Sequence, residues 1–258
     1  MNIISRMLAY PLTAGLDIND PKTTELRRKI IKSKPFLFRI YDEWYRCMAS
    51  QIPPGPGGVL EIGSGGGFLG EYIPDLITSD ILPCDGVDRV IDACTHLPCD
   101  DNSLKAVLML NVFHHLPDPN KFLSECSRSL RPGGMVIMVE PWVTPWSSLI
   151  YKNLHHEPFD ESAQEWKIIS EGPLSGANGA LPWILFARDK TKYANFFPDL
   201  HIECISPMMP FRYLVSGGIS MRSFIPGCAY PLLRLLEYLL APFNRYCAMF
   251  AQICLKKV

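Results

Sequence analysis

Three groups of residues in this chain have types and spacing that could do chemistry. A glycine-rich stretch at 59–68 follows a short apolar run, His114 and His115 are adjacent, and Asp80 and Asp92 each end a short apolar run. Glycine allows sharp turns and a close approach to a ligand that a Cβ would block. A carboxylate can accept hydrogen bonds from a ligand's hydroxyls, and histidine can act as a general base near neutral pH. These groups predict a nucleotide-type cradle with candidate bases nearby.

The glycine-rich stretch must be positioned by the elements around it. Residues 59–62 form an apolar run suited to a buried parallel strand, and residues 68–73 are predicted to open a helix with free N–H groups at its start. A dinucleotide-binding fingerprint needs glycine at its first, third and sixth positions. Counting from Gly63, the sixth position is Phe68. The pattern is instead Glu-x-Gly-x-Gly-x-Gly, made by Glu61, Gly63, Gly65 and Gly67.

Composition narrows the class of protein. The 258 residues are 48% hydrophobic and carry a net charge of −1, which predicts one enlarged domain and argues against nucleic acid as a partner. Nine cysteines without a Cys-x-x-Cys pair indicate free thiols in a reducing compartment, so we expect a cytoplasmic location. The sequence contains no run of about 18 apolar residues, so no transmembrane helix is predicted. Pro11 and Asp17 argue against a signal peptide.

The elements follow in a regular order along the chain. Residues 1–57 are predicted to be an N-terminal arm with helices, the first capped by Asp20 and largely solvated. Residues 58–258 form the main domain, with insertions at 141–186 and 207–246. The predicted strands are 59–62, 76–80, 89–92, 104–111, 135–139, 200–206 and 248–256. Since strand ends align at one edge of such a sheet, Asp80 is predicted to accept hydrogen bonds from ribose hydroxyls, although a turn or helix-cap aspartate is the alternative.

Further landmarks follow the glycine motif in sequence. Asp92-Ala93 comes shortly before a Leu-Pro, the segment 110–119 contains the histidine pair, and Leu-Arg-Pro-Gly-Gly stands at 130–134. Together these landmarks resemble the class I S-adenosylmethionine (SAM) dependent methyltransferases, in particular the small-molecule group called type 11. The resemblance covers about residues 58–140. It implies a doubly wound, Rossmann-like α/β fold with a seven-stranded sheet, an antiparallel last strand and insertions on the substrate side.

The resemblance also implies the cofactor contacts, with S-adenosylhomocysteine as the product. Asp92 would accept from the adenine amino group, the Ala93 N–H would meet the ring, and Asn111 would lie beneath the methionyl group. Glu61 would act at the methionine end, through its carboxylate or by ordering the turn. The full predicted set is Glu61, Gly63, Ser64, Gly65, Gly67, Asp80, Ile81, Asp92, Ala93, Asn111 and Val112.

Methyl transfer to a hydroxyl needs a base, because the cofactor is already activated and the protein must position the acceptor and remove its proton. The predicted bases are His114 and His115, with His155 and His156 in the first insertion as further candidates. His155, His156, Glu157 and Asp160 could suggest a metal site, but adjacent histidines point apart on a strand and about 100° apart on a helix, so no metal is predicted.

The insertions bear on the acceptor. Residues 141–186 are predicted to be a substrate lid, with a decorated surface loop as the alternative. The very apolar helix at 231–241 is core, a dimer face, or a contact with a lipid-like substrate or bilayer surface through 231–243. The predicted activity is methylation of a small-molecule or lipid- or saccharide-linked acceptor at a hydroxyl. The alternatives are a non-catalytic SAM-binding module and an NAD(P)-dependent oxidoreductase.

Overall fold

A computed structural model describes residues 10, 20–155, 157–169, 172 and 176–258. Its single mixed sheet has the strand order β3-β2-β1-β4-β5-β7-β6, and β7 runs antiparallel to both of its neighbours. The strands are β1 (Gly58–Ile62), β2 (Leu76–Asp80), β3 (Arg89–Val90), β4 (Leu104–Leu110), β5 (Leu130–Pro141), β6 (Leu200–Met208) and β7 (Phe250–Lys257). The predicted seven-stranded α/β fold with an antiparallel last strand is confirmed.

Several described helices begin where the sequence places a capping side chain before a proline. Asp20 accepts a hydrogen bond from the Lys22 backbone N–H at 2.9 Å, and Thr144 forms a reciprocal capping box with Ser147. The helices are α1 (Pro21–Ser33), α2 (Pro35–Ser50), α3 (Pro119–Ser129), α4 (Pro145–Leu154), α5 (Leu181–Trp183), α6 (Lys190–Phe196), α7 (Arg212–Ser216), α8 (Tyr230–Leu240) and α9 (Asn244–Cys247). A π-helical segment, Ile184–Arg188, joins α5 to α6.

The helix predicted directly after the glycine turn is wrong. Residues 68–73 contain only a single 3-10 turn, Leu69–Glu71, because Gly70 and Pro74 disfavour a helix there and β2 begins at Leu76. Helix α2 supplies the packing instead. Tyr45 of this helix lies 4.9 Å, centroid to centroid, from the ring of Phe68, so an N-terminal helix covers the sheet beside the cradle.

Helix α1 is more buried than its charged sequence indicates. Thr23, Thr24, Ile30 and Ile31 are buried, so the prediction of a largely solvated helix is wrong for this face. Thr24 lies against the glycine turn, and Ile31 belongs to the hydrophobic core. The helices at 21–50 therefore pack directly on the domain that begins at residue 58.

In helix α8, which lies in the second insertion, a charged side chain is buried while leucine side chains are exposed. Its Glu237 is buried at 6% exposure, whereas Leu232 and Leu239 are 61% and 63% exposed. The core placement left open by the sequence is wrong for these exposed leucines. Among the described residues, no helix combines the length and apolar character needed to cross a bilayer. The nine cysteines are free thiols, as predicted.

Candidate active site

The turn after β1 is a narrow passage that only glycine fits. Gly63 has φ of +73°, and a Cβ added there would lie 2.4 Å from Cγ2 of Val112. At Gly67, an added Cβ would lie 2.7 Å from the Tyr45 hydroxyl oxygen. These distances are shorter than real Cβ contacts, so the turn requires glycine because it packs against the protein itself. The predicted close approach of the glycines to a ligand stays a prediction.

Glu61 organises this turn from inside the protein. Its side chain is buried, and Ser64 Oγ donates a hydrogen bond to Oε2 at 2.6 Å, while the Ser79 N–H donates to Ser64 Oγ at 3.1 Å. Burial raises the pKa of Glu61 to about 7, although the hydrogen bond from Ser64 opposes that shift. The carboxylate and Ser64 thus tie the turn to β2, which matches the turn-ordering role offered for Glu61.

Asp80 ends β2 directly beside the glycine turn. Its Oδ2 accepts the Gly65 N–H at 3.0 Å, and its Oδ1 accepts the Leu82 N–H at 3.0 Å. Burial raises the pKa of this carboxyl, and the backbone donors oppose the shift. Asp80 is therefore positioned at the predicted edge, followed by the half-buried Ile81.

The Asp92-Ala93 pair lies past the end of β3. Asp92 is exposed and its Oδ1 accepts the Cys94 N–H at 2.9 Å, whereas Ala93 is buried at 5% exposure. The exposed carboxylate retains oxygen lone pairs that can accept further donors. The geometry is compatible with the adenine contact that the resemblance implies.

Helix α1 lies across the glycine turn, a feature that the sequence reasoning missed. Arg28 Nη2 donates a hydrogen bond to the Gly65 carbonyl oxygen at 3.1 Å. A Cβ added at Gly65 would lie 2.6 Å from the Thr24 methyl carbon Cγ2. Two threonines near the start of this otherwise charged helix are the sequence feature at the contact. Their spacing does not indicate that they lie against the cradle.

Buried polar atoms near the turn that have no hydrogen-bond partner among the described residues include Arg28 Nε and Asn111 Oδ1. Asn111 follows β4 with φ of +56°, and its backbone N–H donates to the Val139 carbonyl at 2.9 Å. Unsatisfied buried polar groups are costly and call for a partner. SAM carries a carboxylate, an ammonium group and ribose hydroxyls, which can accept from the guanidinium and donate to the amide oxygen. The cradle residues therefore fit this cofactor.

The histidine pair is set on a 3-10 turn, Phe113–His115, directly after β4. Glu140 in β5 lies beneath it, where its Oε1 accepts the backbone N–H groups of Val112 and Phe113 at 2.7 and 2.8 Å. The other oxygen, Oε2, lies 2.6 Å from Nδ1 of His114. Glu140 is completely buried. The sequence analysis did not identify Glu140, whose only signal is an acid in a strand otherwise rich in apolar residues.

The two imidazoles differ in their protonation. Burial alone would lower the pKa of His114, but Glu140 and Glu157 raise it to about 10. Burial and the neighbouring His114 charge lower the pKa of His115 to about 4. In this arrangement His114 is a cation held between carboxylates, and His115 is the neutral imidazole that can accept a proton.

Glu157 of the first insertion closes over both rings. Its Oε2 lies 3.4 Å from His114 Nε2, and its Oε1 lies 3.7 Å from His115 Nε2. The ring centroids of the two histidines are 4.2 Å apart, so both rings face the same carboxylate. His155 Nδ1 lies 3.8 Å from Glu157 Oε2, and His156 lies outside the described residues.

Comparisons with known proteins agree with this geometry. Residues 60–138 match the family model described as a methyltransferase domain. An uncharacterized methyltransferase from Mycobacterium sp. strain KMS is 33% identical over 112 residues, covering 38% of this chain and 44% of that protein. The phthiotriol/phenolphthiotriol dimycocerosates methyltransferase of Mycobacterium tuberculosis H37Ra is 32% identical over 113 residues, covering 37% and 42%. The chain thus spans less than half the length of these relatives.

A solved structure shares the fold over nearly the whole chain. It comes from the Haloferax volcanii complex of the Trm112 activator with a methyltransferase, with a TM-score of 0.53, 15% identity, and coverage of 95% of this chain and 99% of that one. The sheet order, the cradle and the family match make this chain similar to the class I SAM-dependent methyltransferases. The match to the methyltransferase-domain family is confined to residues 60–138, which contain the cradle.

Proposed function

We propose that this chain transfers a methyl group from SAM to a hydroxyl of a lipid-linked or similarly amphiphilic small molecule. The carrying observation is the cradle, where a glycine turn, the Asp80 carboxylate and the Asn111 amide meet at the carboxyl edge of the sheet. The bound cofactor supplies an electrophilic methyl group. The chain supplies the position of the acceptor and a place for its proton.

His115 is the proposed base for an acceptor hydroxyl. Its Nδ1–H donates to the Gly176 carbonyl at 3.0 Å, which fixes a tautomer with a lone pair on Nε2. His114 then acts as a positioning residue, because its contacts with Glu140 hold the 3-10 turn against β5. The relative whose name specifies a triol, the phthiotriol methyltransferase, supports a hydroxyl acceptor.

Helix α8 supports an acceptor with a lipid part. Its exposed apolar side chains, here called the leucine face, are Leu232, Leu235, Leu236, Tyr238 and Leu239. Such a continuous exposed stripe fits an acyl or isoprenoid chain at a bilayer surface. The similar Mycobacterium tuberculosis protein is named for dimycocerosates as well as for a triol. We propose that the leucine face contacts the membrane in which the acceptor is dissolved.

Calorimetric titration with S-adenosylhomocysteine, with NADH as the control ligand, tests the cofactor part. Gly63→Val should abolish binding, because the added side chain would overlap Val112. Gly70→Ala is the matched control, since nothing lies within 4 Å of an added Cβ there. Binding of NADH alone, or unchanged affinity in Gly63→Val, would refute the assignment of the cradle.

Turnover distinguishes an enzyme from a non-catalytic SAM-binding module. Radiolabelled SAM should be incubated with the protein and vesicles that contain prenyl alcohols, lipid-linked sugars or hydroxylated acyl lipids. Transfer of label to the lipid phase would support the proposed acceptor class. Tight binding of S-adenosylhomocysteine with no transfer to lipid, sugar or protein hydroxyls would favour the binding module.

A further inference from the structure

We propose that His114, His115 and Glu157 form a binding site for a divalent transition metal ion of the zinc type. Histidine nitrogen together with a single carboxylate is a donor set that Zn²⁺ uses in catalytic sites, with the fourth position open. The candidate ligand atoms of the three residues lie within 4.8 Å of one another. Neither the family match nor the methyl-transfer chemistry calls for this metal.

The first argument is the orientation of the two imidazoles. His114 Nδ1 faces Glu140 Oε2 at 2.6 Å, and His115 Nδ1 faces the Gly176 carbonyl at 3.0 Å. Metal-binding histidines characteristically donate their second ring N–H to a carboxylate or a backbone carbonyl, which fixes the tautomer that presents the other nitrogen to the metal. Both histidines have this arrangement, and both direct Nε2 to the same carboxylate, so metal binding would displace the proton that His114 Nε2 carries in the metal-free protein.

The second argument is distance. The Nε2 atoms of His114 and His115 lie 3.4 and 3.7 Å from the nearest oxygens of Glu157. Direct charge-assisted hydrogen bonds are shorter, at about 2.7–2.9 Å. Ligands about 2.1 Å from a tetrahedral Zn²⁺ are about 3.4 Å apart, so each nitrogen lies at a separation from its nearest Glu157 oxygen, Oε2 for His114 and Oε1 for His115, that a shared metal ion could span.

The third argument is that the surrounding structure holds these side chains in place. Glu140 fixes the turn of the histidines from below through two backbone N–H groups. The Asn178 N–H donates to the His114 carbonyl at 2.9 Å, and Asn178 Oδ1 accepts the Asp160 N–H at 2.9 Å. These bonds tie the segment after Glu157 to the histidine turn. Ligands preorganised in this way lose less entropy on binding.

The position of the site indicates its role. The side chains of His115 and Glu157 are 22% and 26% exposed, whereas that of His114 is 3% exposed, so the open coordination position faces the accessible side. There a metal would bind the acceptor oxygen and lower the pKa of its hydroxyl, and the released proton would pass to solvent. In the metal-bound protein His115 would therefore be a ligand and not the base, because its Nε2 lone pair cannot serve both purposes. This role of the metal rests on the proposed methyl transfer to a hydroxyl, whereas metal binding itself does not.

The test is metal binding to the whole chain, measured without turnover. The protein is stripped with a chelator and titrated with Zn²⁺ by calorimetry and with Co²⁺ by visible absorption, whose d–d bands report coordination by nitrogen and oxygen. One metal per chain is expected. His115→Ala and Glu157→Gln should each weaken binding by about 100-fold or more, since even residues behind the ligands contribute 10–100-fold.

His96→Gln is the matched control, because His96 also pairs with a glutamate, at 3.0 Å from Glu125, but lies on the surface with a side chain 69% exposed. It should leave metal affinity unchanged. Circular dichroism and S-adenosylhomocysteine affinity, measured on every variant, report whether the fold and the cradle are intact. Failure of Zn²⁺ and Co²⁺ to bind would overturn the proposal, as would binding that survives both ligand substitutions in folded protein. Either result leaves the cofactor assignment standing.

Discussion

Two buried glutamates have different roles in two regions of the molecule, the histidine turn and helix α8. Glu140 lies in the sheet under the histidine turn, and Glu237 lies on the inner side of α8. Both are satisfied: Glu140 by two backbone N–H groups and His114, and Glu237 by Arg212 and two backbone N–H groups. Glu140 positions the histidine turn of the candidate site. Glu237 anchors helix α8, and the leucines of that helix consequently face outwards.

Arg212→Met should show the largest effect of the tests that address this comparison. The Arg212 side chain is 6% exposed and contacts Glu237, Glu43 and the Tyr230 hydroxyl. Removing it leaves a buried carboxylate without its cation, which costs about 3–5 kcal/mol of unfolding free energy. Urea unfolding measures this. Arg234→Met is the control, since that 65% exposed arginine also pairs with Glu43 at 3.1 Å but should contribute about 1 kcal/mol or less. Equal losses would refute the anchoring role.

The pH dependence of stability should report Glu61 on the cofactor side. Its pKa rises from 4.5 in the unfolded chain to about 7 in the folded protein, mainly through burial. The folded state therefore holds the proton to higher pH, and stability falls as the pH rises from about 4.5 to about 7. The loss amounts to about 3 kcal/mol. Glu61→Gln should remove this slope in urea unfolding at pH 5 and pH 8. An unchanged slope would show that other groups cause it.

The comparison also separates what the sequence could predict from what it could not. The strands around the cradle and the order of landmarks from Gly63 to the Leu-Arg-Pro-Gly-Gly segment, which lies within β5, were predictable, because period and glycine spacing are local signals. The direction that α8 faces was not, because its apolar stripe is the same whether it is buried or exposed. Only the long-range pairing of Arg212 with Glu237 and Glu43 decides that Glu237 lies inside.

The same limit explains the parts of the site that were missed. Glu140 reads as an isolated acid in an apolar strand, and its role depends on a turn that is 26 residues earlier in the chain. Arg28 reads as part of a charged, solvated helix until α1 is seen to pack on the glycine turn. Long-range contacts of this kind leave no spacing pattern, whereas the histidine pair was predicted because its residue type alone suggests chemistry.

Arg28→Met tests whether α1 belongs to the cofactor site. The Arg28 guanidinium lies against the glycine turn with Nε buried and unpartnered within the described residues. Losing it should weaken S-adenosylhomocysteine binding about 10-fold, the size of one charge-assisted hydrogen bond. Lys29→Met is the control, because Lys29 is exposed on the same helix. Calorimetry that shows the same affinity for both variants would restrict α1 to a structural role.

Substitutions on the leucine face should have the smallest effect on stability and the largest effect on membrane binding. Leu232, Leu235 and Leu239 are 61%, 55% and 63% exposed, so serine at each position should change the unfolding free energy by about 0.5 kcal/mol or less. The triple variant should nevertheless lose binding to vesicles of mixed zwitterionic and anionic phospholipid in a flotation assay, because each exposed leucine contributes apolar area only when a bilayer covers it. Val90 lies in the edge strand β3 and is 60% exposed. The control variant Val90→Ser should bind the vesicles as the unaltered protein does. A large loss of stability in the triple variant would mean that the leucine face is covered by protein. Equal flotation of all forms would refute the proposed membrane contact but would not affect the anchoring role of Glu237.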